Sequence, residues 1–332
     1  MSNNTIISTG TTYRIYDSSV ETHDVLPKAT YRVEFDPMQG YSLLRVEPLT
    51  AGEEKVYGTH EPRLNRINQA YSAMTRSLGV LLSGDKGMGK SLMVRMVAEK
   101  FANERDLPII LVESNTPGIA SFIDTLGESV VVFDEFEKKF PAGGRNEEGD
   151  GAQSQFLGLF DGISSTQRLY LVSINEVSRL SDFFINRPGR FHYHIRFDYP
   201  AADEVREYLT EQAPGADPAE IETAVVFSQR VKLNYDHLRA LAFELNLGGT
   251  FSEVIGDLNI KNMGGETYKL TVELDDGTKI HTNQGINFFA GAETLIEVNA
   301  WWKNHDFEFE FALGDVQSSD HGMFINGEDI EV

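Results

Sequence analysis

Eight consecutive residues, Gly84 to Ser91, have the types and spacing of a loop that wraps phosphate groups. They fit the pattern G-x-x-x-x-G-K-[ST], in which glycines let backbone N–H groups turn toward phosphate oxygens at the start of a helix. Lys90 would reach the β- and γ-phosphates of a nucleotide, and the Ser91 hydroxyl would bind Mg²⁺. An ordinary glycine-rich turn is the alternative, and the apolar strand and amphipathic helix on either side argue against it. The predicted nucleotide-binding residues of the loop are Gly84, Asp85, Lys86, Gly87, Met88, Gly89, Lys90, Ser91 and Leu92.

Two carboxylates follow a second apolar run, residues 130–133, about 45 residues after the loop. Ligands of open α/β sheets collect at the carboxyl ends of the strands. Asp134 would hold the metal through water, and Glu135 would act as general base on the attacking water. Acidic residues that merely cap a strand in solvent are the alternative, which the preceding phosphate loop disfavours.

A third apolar run, residues 169–174, ends at Asn175. An amide there could orient the attacking water or contact the γ-phosphate. A single asparagine at a strand end is also a common turn residue, so this assignment depends on the other motifs.

The elements that must position these residues alternate between apolar strands and helices from about residue 78 to 197. That alternation predicts an α/β fold with a parallel sheet between helices. Short strands precede this region and others follow it. We expect four parts: an N-terminal β-rich module (1–56), an α/β core (57–199), a small helical lid (200–249) and an acidic β-rich C-terminal domain (250–332).

The order of phosphate loop, Asp-Glu, Asn and Arg-Pro-Gly-Arg resembles the AAA family of the AAA+ ATPases. Residues 156–191, FLGLFDGISSTQRLYLVSINEVSRLSDFFINRPGRF, resemble the second region of homology of that family. The core is most similar to the complex III assembly translocase and membrane AAA protease branch, without a membrane anchor or protease domain in this sequence. The resemblance covers roughly residues 58–247 and implies a P-loop AAA+ core that hydrolyses ATP with Mg²⁺ in a homo-oligomeric ring, expected to be a hexamer.

Further residue roles follow from the resemblance alone. Arg187 and Arg190 would act as arginine fingers on the γ-phosphate bound by the adjacent subunit; a β-corner with two solvated arginines is the alternative. Tyr57 and Gly58 precede the core where the family often lines the adenine pocket. The resemblance also implies that the ring remodels or assembles a protein partner.

The composition and net charge of the chain limit the classes of partner that it can be expected to bind. The chain of 332 residues carries a net charge of −22, with no cysteine, and 16 acidic against 4 basic side chains lie in residues 251–332. Such a field repels nucleic-acid phosphates, so a nucleic-acid motor or loader is the second hypothesis, and an ATP-binding structural ring with little turnover is the third. Neither a transmembrane run nor a signal peptide is visible, and we expect a cytoplasmic protein without a membrane partner, in the host cytoplasm if a phage encodes it.

Overall fold

The computed structural model describes residues 5–16, 20–52, 57, 60–142, 152–161, 164, 166–185, 189–258, 260, 266–274, 276–290, 293–302, 305–319 and 322–330. The chain divides into two compact units. Residues 1–85 and 89–197 form the first, and residues 86–88 and 198–332 form the second.

The first unit is built of nine described strands and five described helices. Its strands are β1 (Thr5–Thr9), β2 (Thr12–Tyr16), β3 (Thr30–Asp36), β4 (Gly40–Val46), β5 (Leu78–Ser83), β6 (Ile109–Leu111), β7 (Ser129–Phe133), β8 (Arg168–Ile174) and β9 (Tyr193–Arg196). Its helices are α1 (His60–Ala73), α2 (Lys90–Arg105), α3 (Ile119–Thr125), α4 (Phe136–Lys139) and α5 (Leu157–Phe160). Short 3₁₀ turns at Ser154–Phe156 and Val177–Arg179 complete it.

A seven-stranded sheet lies at the centre of this unit, in the order β4-β3-β6-β7-β8-β5-β9. Every residue of β5, β7 and β8 is buried, as expected for parallel strands that helices cover on both faces. Because β8 lies between β5 and β7, the carboxyl ends of these three strands meet at one edge of the sheet.

The N-terminal region differs from the expected separate module. β3 pairs in parallel with β6, with Thr30 opposite Ile109, and β4 pairs antiparallel with β3. β1 and β2 form a two-stranded sheet of their own. The boundary expected after residue 56 therefore does not set β3 and β4 apart from the core, because they extend its sheet. A pairing between residues so far apart in the chain leaves no mark in the local pattern.

The second unit joins helices to β-hairpins. Its helices are α6 (Ala202–Gln212), α7 (Pro218–Arg230), α8 (Tyr235–Asn246) and α9 (Phe251–Val254). Its strands are β10 (Glu266–Glu273), β11 (Lys279–Ile286), β12 (Leu295–Trp302), β13 (His305–Ala312), β14 (Gln317–Ser319) and β15 (Gly322–Phe324). They pair as three antiparallel hairpins, and 3₁₀ turns lie at Leu313–Asp315 and Gly327–Asp329.

The helical and β-rich parts of this unit are connected through Arg230. The guanidinium group donates hydrogen bonds to the carbonyl oxygens of Leu313, at 3.3 Å, and Val316. The expected boundary between residues 249 and 250 thus lies inside one compact unit. The predicted fold class is confirmed: a sheet with helices, a helical segment after it, and small β-sheets toward both ends of the chain.

Candidate functional site

The predicted phosphate loop connects β5 to α2. Gly89 occupies the N-cap position of α2 in a left-handed conformation, with φ of 87°, and no side chain in the described part of the protein caps the helix. The first N–H groups of a helix have no partner within it and are placed to bind an anion. The 16-residue helix therefore presents open donors at the position where the sequence predicts phosphate.

Gly84 begins the loop in a conformation that only glycine adopts without strain. Its φ is 148°, and a Cβ atom there would lie 2.4 Å from the carbonyl oxygen of Phe197. This close approach fixes the start of the loop against the residue that follows β9.

Lys90 is held inside the loop. Its side chain is buried, and Nζ donates hydrogen bonds of 2.6 Å to the carbonyl oxygens of Gly84 and Asp85. Burial lowers the pKa of Lys90, and the negative charges of Asp134, Asp85, Glu137 and Glu135 oppose that shift. These carboxylates thus favour the charged form of the ammonium group.

The remaining loop positions differ in exposure. Asp85, Lys86 and Ser91 are exposed, Gly87 and Leu92 are half-buried, and Met88 is buried. Within the second unit, the backbone N–H of Tyr235 donates to the Gly87 carbonyl at 3.0 Å, and Nδ2 of Asn234 donates to the Lys86 carbonyl at 3.1 Å. The start of α8 therefore holds the middle of the loop.

A serine on β8 contacts both of the acidic residues that follow β7. Oγ of Ser173 donates to Oδ1 of Asp134 at 2.5 Å and accepts from the backbone N–H of Glu135 at 2.9 Å. Glu135 has φ of 50°, a left-handed conformation for a residue with a Cβ atom. Such conformations cost on the order of 1–3 kcal/mol and cluster at functional sites.

The side chain of Asn175 bonds to two glutamates. Its Nδ2 donates to Oε1 of Glu135 at 3.1 Å and to Oε1 of Glu137 at 3.2 Å. Oε1 of Glu135 also accepts from the ammonium group of Lys138. The structure thus brings Asn175 to the general-base candidate, as its place at the end of β8 predicts.

Sequence reasoning missed Ser173 and Glu137. One signal was available for Ser173, because residues two apart on a strand share a face, which aligns it with Asn175. No comparable pattern pointed to Glu137.

Arg190 is bound within its own chain. Nε and Nη2 donate to Oδ1 and Oδ2 of Asp161 at 2.6 and 2.9 Å, and Nη1 donates to the carbonyl oxygen of Phe183. The side chain is buried, which differs from the outward position expected of an arginine finger. The sequence could not reveal this partner, which lies 29 residues earlier.

Three predicted positions remain, of which the structure describes one. Arg187 and Gly58 lie outside the described residues. Tyr57 is buried, and its role at an adenine pocket stays a prediction.

The residues present fit a magnesium nucleotide. Among the described residues, no three His, Cys, Asp or Glu side chains come together as a metal-binding group. This is compatible with Mg²⁺ at nucleotide sites, which one or two carboxylates and the phosphates of the substrate hold together with water. Asp134 and the Ser91 hydroxyl are the protein groups suited to that role.

No helix in the described part of the chain combines the length and apolar character needed to cross a membrane.

Residues 80–199 match the model of the AAA family, the ATPase family associated with various cellular activities. A protein of Corynebacterium glutamicum (strain R) named "AAA ATPase forming ring-shaped complexes" is 28% identical over 170 residues, covering 43% of this chain and 32% of that relative. Peroxisomal ATPase PEX6 of Homo sapiens is 29% identical over 129 residues, covering 35% and 13%. Protein mac-1 of Caenorhabditis elegans is 26% identical over 140 residues, covering 39% and 17%. The chain spans about a third or less of the length of these curated relatives.

Proposed function

We propose that this chain, which carries an AAA ATPase family domain at residues 80–199, hydrolyses ATP with Mg²⁺ in a homo-oligomeric ring and thereby remodels or assembles a protein partner. One observation carries the hydrolysis: the open N-terminus of α2 lies at the same sheet edge as Glu135 and Asn175. A site for binding alone would need the phosphate donors but no oriented carboxylate beside them.

The residues of this site have separate roles in the proposed hydrolysis. The amides at the start of α2 and the ammonium group of Lys90 bind the phosphates. Glu135, oriented by Asn175, takes the proton of the attacking water. Bound Mg²⁺ would supply positive charge against the phosphate oxygens, and Asp134 and Ser91 would hold it.

The proposal of a ring rests on the similarity of this chain to a relative. The relative from Corynebacterium glutamicum is named for ring-shaped complexes, although this chain covers 32% of its length. In such a ring the positive charge supplied to a neighbouring site would come from Arg187, since Asp161 binds Arg190 within the chain. The protein client is proposed from the β-hairpins of the second unit, in which the described residues form no metal-binding group of His, Cys, Asp or Glu.

Replacing Glu135 with glutamine tests the hydrolysis. General-base catalysis contributes typically 10²–10⁴-fold, so Glu135→Gln should lower the ATPase rate about that much while nucleotide binding persists. Glu176→Gln is the matched control, because Glu176 is an exposed glutamate whose side chain forms an ion pair with Arg179. Equal rates for Glu135→Gln and wild type would refute the general-base role.

Two further outcomes separate the alternatives. A wild-type protein that binds ATP and assembles without turnover would support the structural ring. A nucleic-acid motor would bind DNA or RNA with an affinity that falls steeply as salt rises.

Subunit mixing tests the ring. If Arg187 completes a neighbouring site, increasing fractions of Arg187→Ala subunits should lower hydrolysis more steeply than the wild-type fraction falls. Strict proportionality, or a protein that stays monomeric with ATP by analytical ultracentrifugation, would contradict the shared site. For the client, Glu135→Gln protein loaded with ATP should retain a partner that the ADP-loaded protein releases.

A further inference from the structure

Glu137 is a buried carboxylate beside the catalytic candidates without an assigned role. It lies in the first turn of α4 and is 4% exposed. Burying an ionised carboxylate is costly unless hydrogen bonds compensate for the lost water. Its surroundings therefore need a reason beyond packing.

One oxygen of this carboxylate accepts two hydrogen bonds from Asn175. Oε1 accepts from the backbone N–H of Asn175 at 3.1 Å and from Nδ2 of the same residue at 3.2 Å. Two donors from one residue fix both its backbone and its carboxamide. The same Nδ2 then donates to Glu135 at 3.1 Å, so the contact with Glu135 depends on how Glu137 holds Asn175.

The other oxygen has a different environment. Oε2 of Glu137 is buried and has no hydrogen-bond partner among the described residues. Glu137 is also one of the carboxylates whose charge acts on Lys90. A buried carboxylate oxygen without a partner costs stability, so the retention of Glu137 at this position points to a role in the site.

We propose that Glu137 is a positioning residue of the hydrolytic site: it holds the Asn175 carboxamide so that Asn175 can orient the carboxylate of Glu135. This inference rests on the proposed ATPase function. It accounts for the double contact with Asn175, which an asparagine acting directly on nucleotide would not require.

Two substitutions at Glu137 separate hydrogen bonding from charge. Glu137→Gln keeps an oxygen that accepts both bonds from Asn175, so kcat should stay within about a factor of five of wild type. Glu137→Leu removes the acceptor, and kcat should fall by about 10²-fold, the effect of a misplaced catalytic group, with little change in KM for ATP. If Glu137 served only the fold, a Glu137→Leu variant that folds as well as Glu137→Gln would have the same kcat as Glu137→Gln.

A double-mutant cycle adds a second criterion. If Glu137 acts through Asn175, then Glu137→Leu should cost little further activity in an Asn175→Ala background. Independent, multiplicative losses in that cycle would overturn the proposal, as would a wild-type kcat for Glu137→Leu.

A reciprocal exchange keeps the proposal testable if Glu137→Leu does not fold. Asn175→Asp places a carboxylate against Glu135 and Glu137 and should lower kcat. Adding Glu137→Gln supplies an amide donor to the new carboxylate and should recover part of the loss; no recovery would contradict the positioning role.

The ATPase activity on which this inference rests is tested separately, because it is refuted by a wild-type protein that does not hydrolyse ATP. Folding of each variant is checked by circular dichroism and by its affinity for fluorescent ADP.

Discussion

Replacing Asp161 tests whether Arg190 serves its own chain or a neighbouring site. Two hydrogen bonds, of 2.6 and 2.9 Å, join the guanidinium group to the two carboxylate oxygens. The side chain of Arg190 is 7% exposed and that of Asp161 is 36% exposed. Asp161→Ala therefore leaves a buried guanidinium group that cannot lose its proton.

The expected loss of unfolding free energy in Asp161→Ala follows from the burial of Arg190. Removing one partner of a buried ion pair costs about 3–5 kcal/mol of unfolding free energy. Because Asp161 is partly exposed, water can replace some of its contact, and we expect the lower end, about 3 kcal/mol. For a unit of this size that corresponds to a melting temperature roughly 6–12 °C lower. Asp161→Asn keeps an acceptor and should lose about 1.5 kcal/mol.

The assay must report on the first unit. The only two tryptophans, Trp301 and Trp302, lie in the second unit, so their fluorescence would miss the change. Scanning calorimetry, with hydrogen exchange of peptides from β5 and β8, follows the unit directly.

Glu176→Gln provides the control in the same unit. It breaks an exposed pair of 2.8 Å with Arg179, and exposed pairs contribute no more than about 1 kcal/mol. If Asp161→Ala and Glu176→Gln lower stability equally, Arg190 is not anchored by Asp161. Its guanidinium group would then be available to an adjacent subunit, as the sequence led us to expect.

Three further substitutions have defined outcomes. Ser173→Ala removes the hydrogen bond to the Asp134 carboxylate and should cost about 1.5–3 kcal/mol in calorimetry; an unchanged unfolding curve would contradict the contact. Asn234→Ala removes the N-cap of α8 and the bond to the Lys86 carbonyl, so it should lose about 1 kcal/mol and weaken ADP binding in titration calorimetry; unaltered affinity would show that the loop does not need α8. Burial, with a smaller effect of Arg196, lowers the pKa of His194 below 6.5. Below pH 6.5 the unfolded chain therefore takes up a proton that the folded chain does not, and the free energy of unfolding decreases as the pH is lowered. His194→Gln should flatten this loss between pH 7 and 5, and an identical slope in the variant would exclude His194 as a contributor.

The phosphate loop and the strand ends could be predicted because their information is local. The glycine spacing of residues 84–91 and the apolar runs before Asp134 and Asn175 each lie within ten residues. Parallel topology then requires such strand ends to meet at one edge. The contact between Asn175 and Glu135 is the product of that rule.

The parts that sequence reasoning did not supply depend on contacts between distant residues. The pairing of β3 with β6 joins Thr30 to Ile109, and nothing in either strand's pattern specifies its neighbour. In the same way, the sequence identifies Arg190 as a cation, but only the structure shows that Asp161 binds it. Residue type and spacing therefore identified the chemical groups, whereas tertiary packing decided which of them are available.

The alignment of β7 with β8 brings the carboxylates and the amide together. Phe133 pairs with Val172, which sets Asp134 beside Ser173; a slip of one residue would turn Ser173 and Asn175 to the other face of the sheet. The ring of Phe133 lies between 5.2 and 5.9 Å from four other phenylalanine rings, those of Phe136, Phe140, Phe156 and Phe160. Two of these belong to α4 or follow it directly, so one aromatic cluster fixes both the register of β7 and the helix that carries Glu137. The geometry proposed for hydrolysis thus depends on the packing of these aromatic rings as well as on the polar residues that would contact nucleotide.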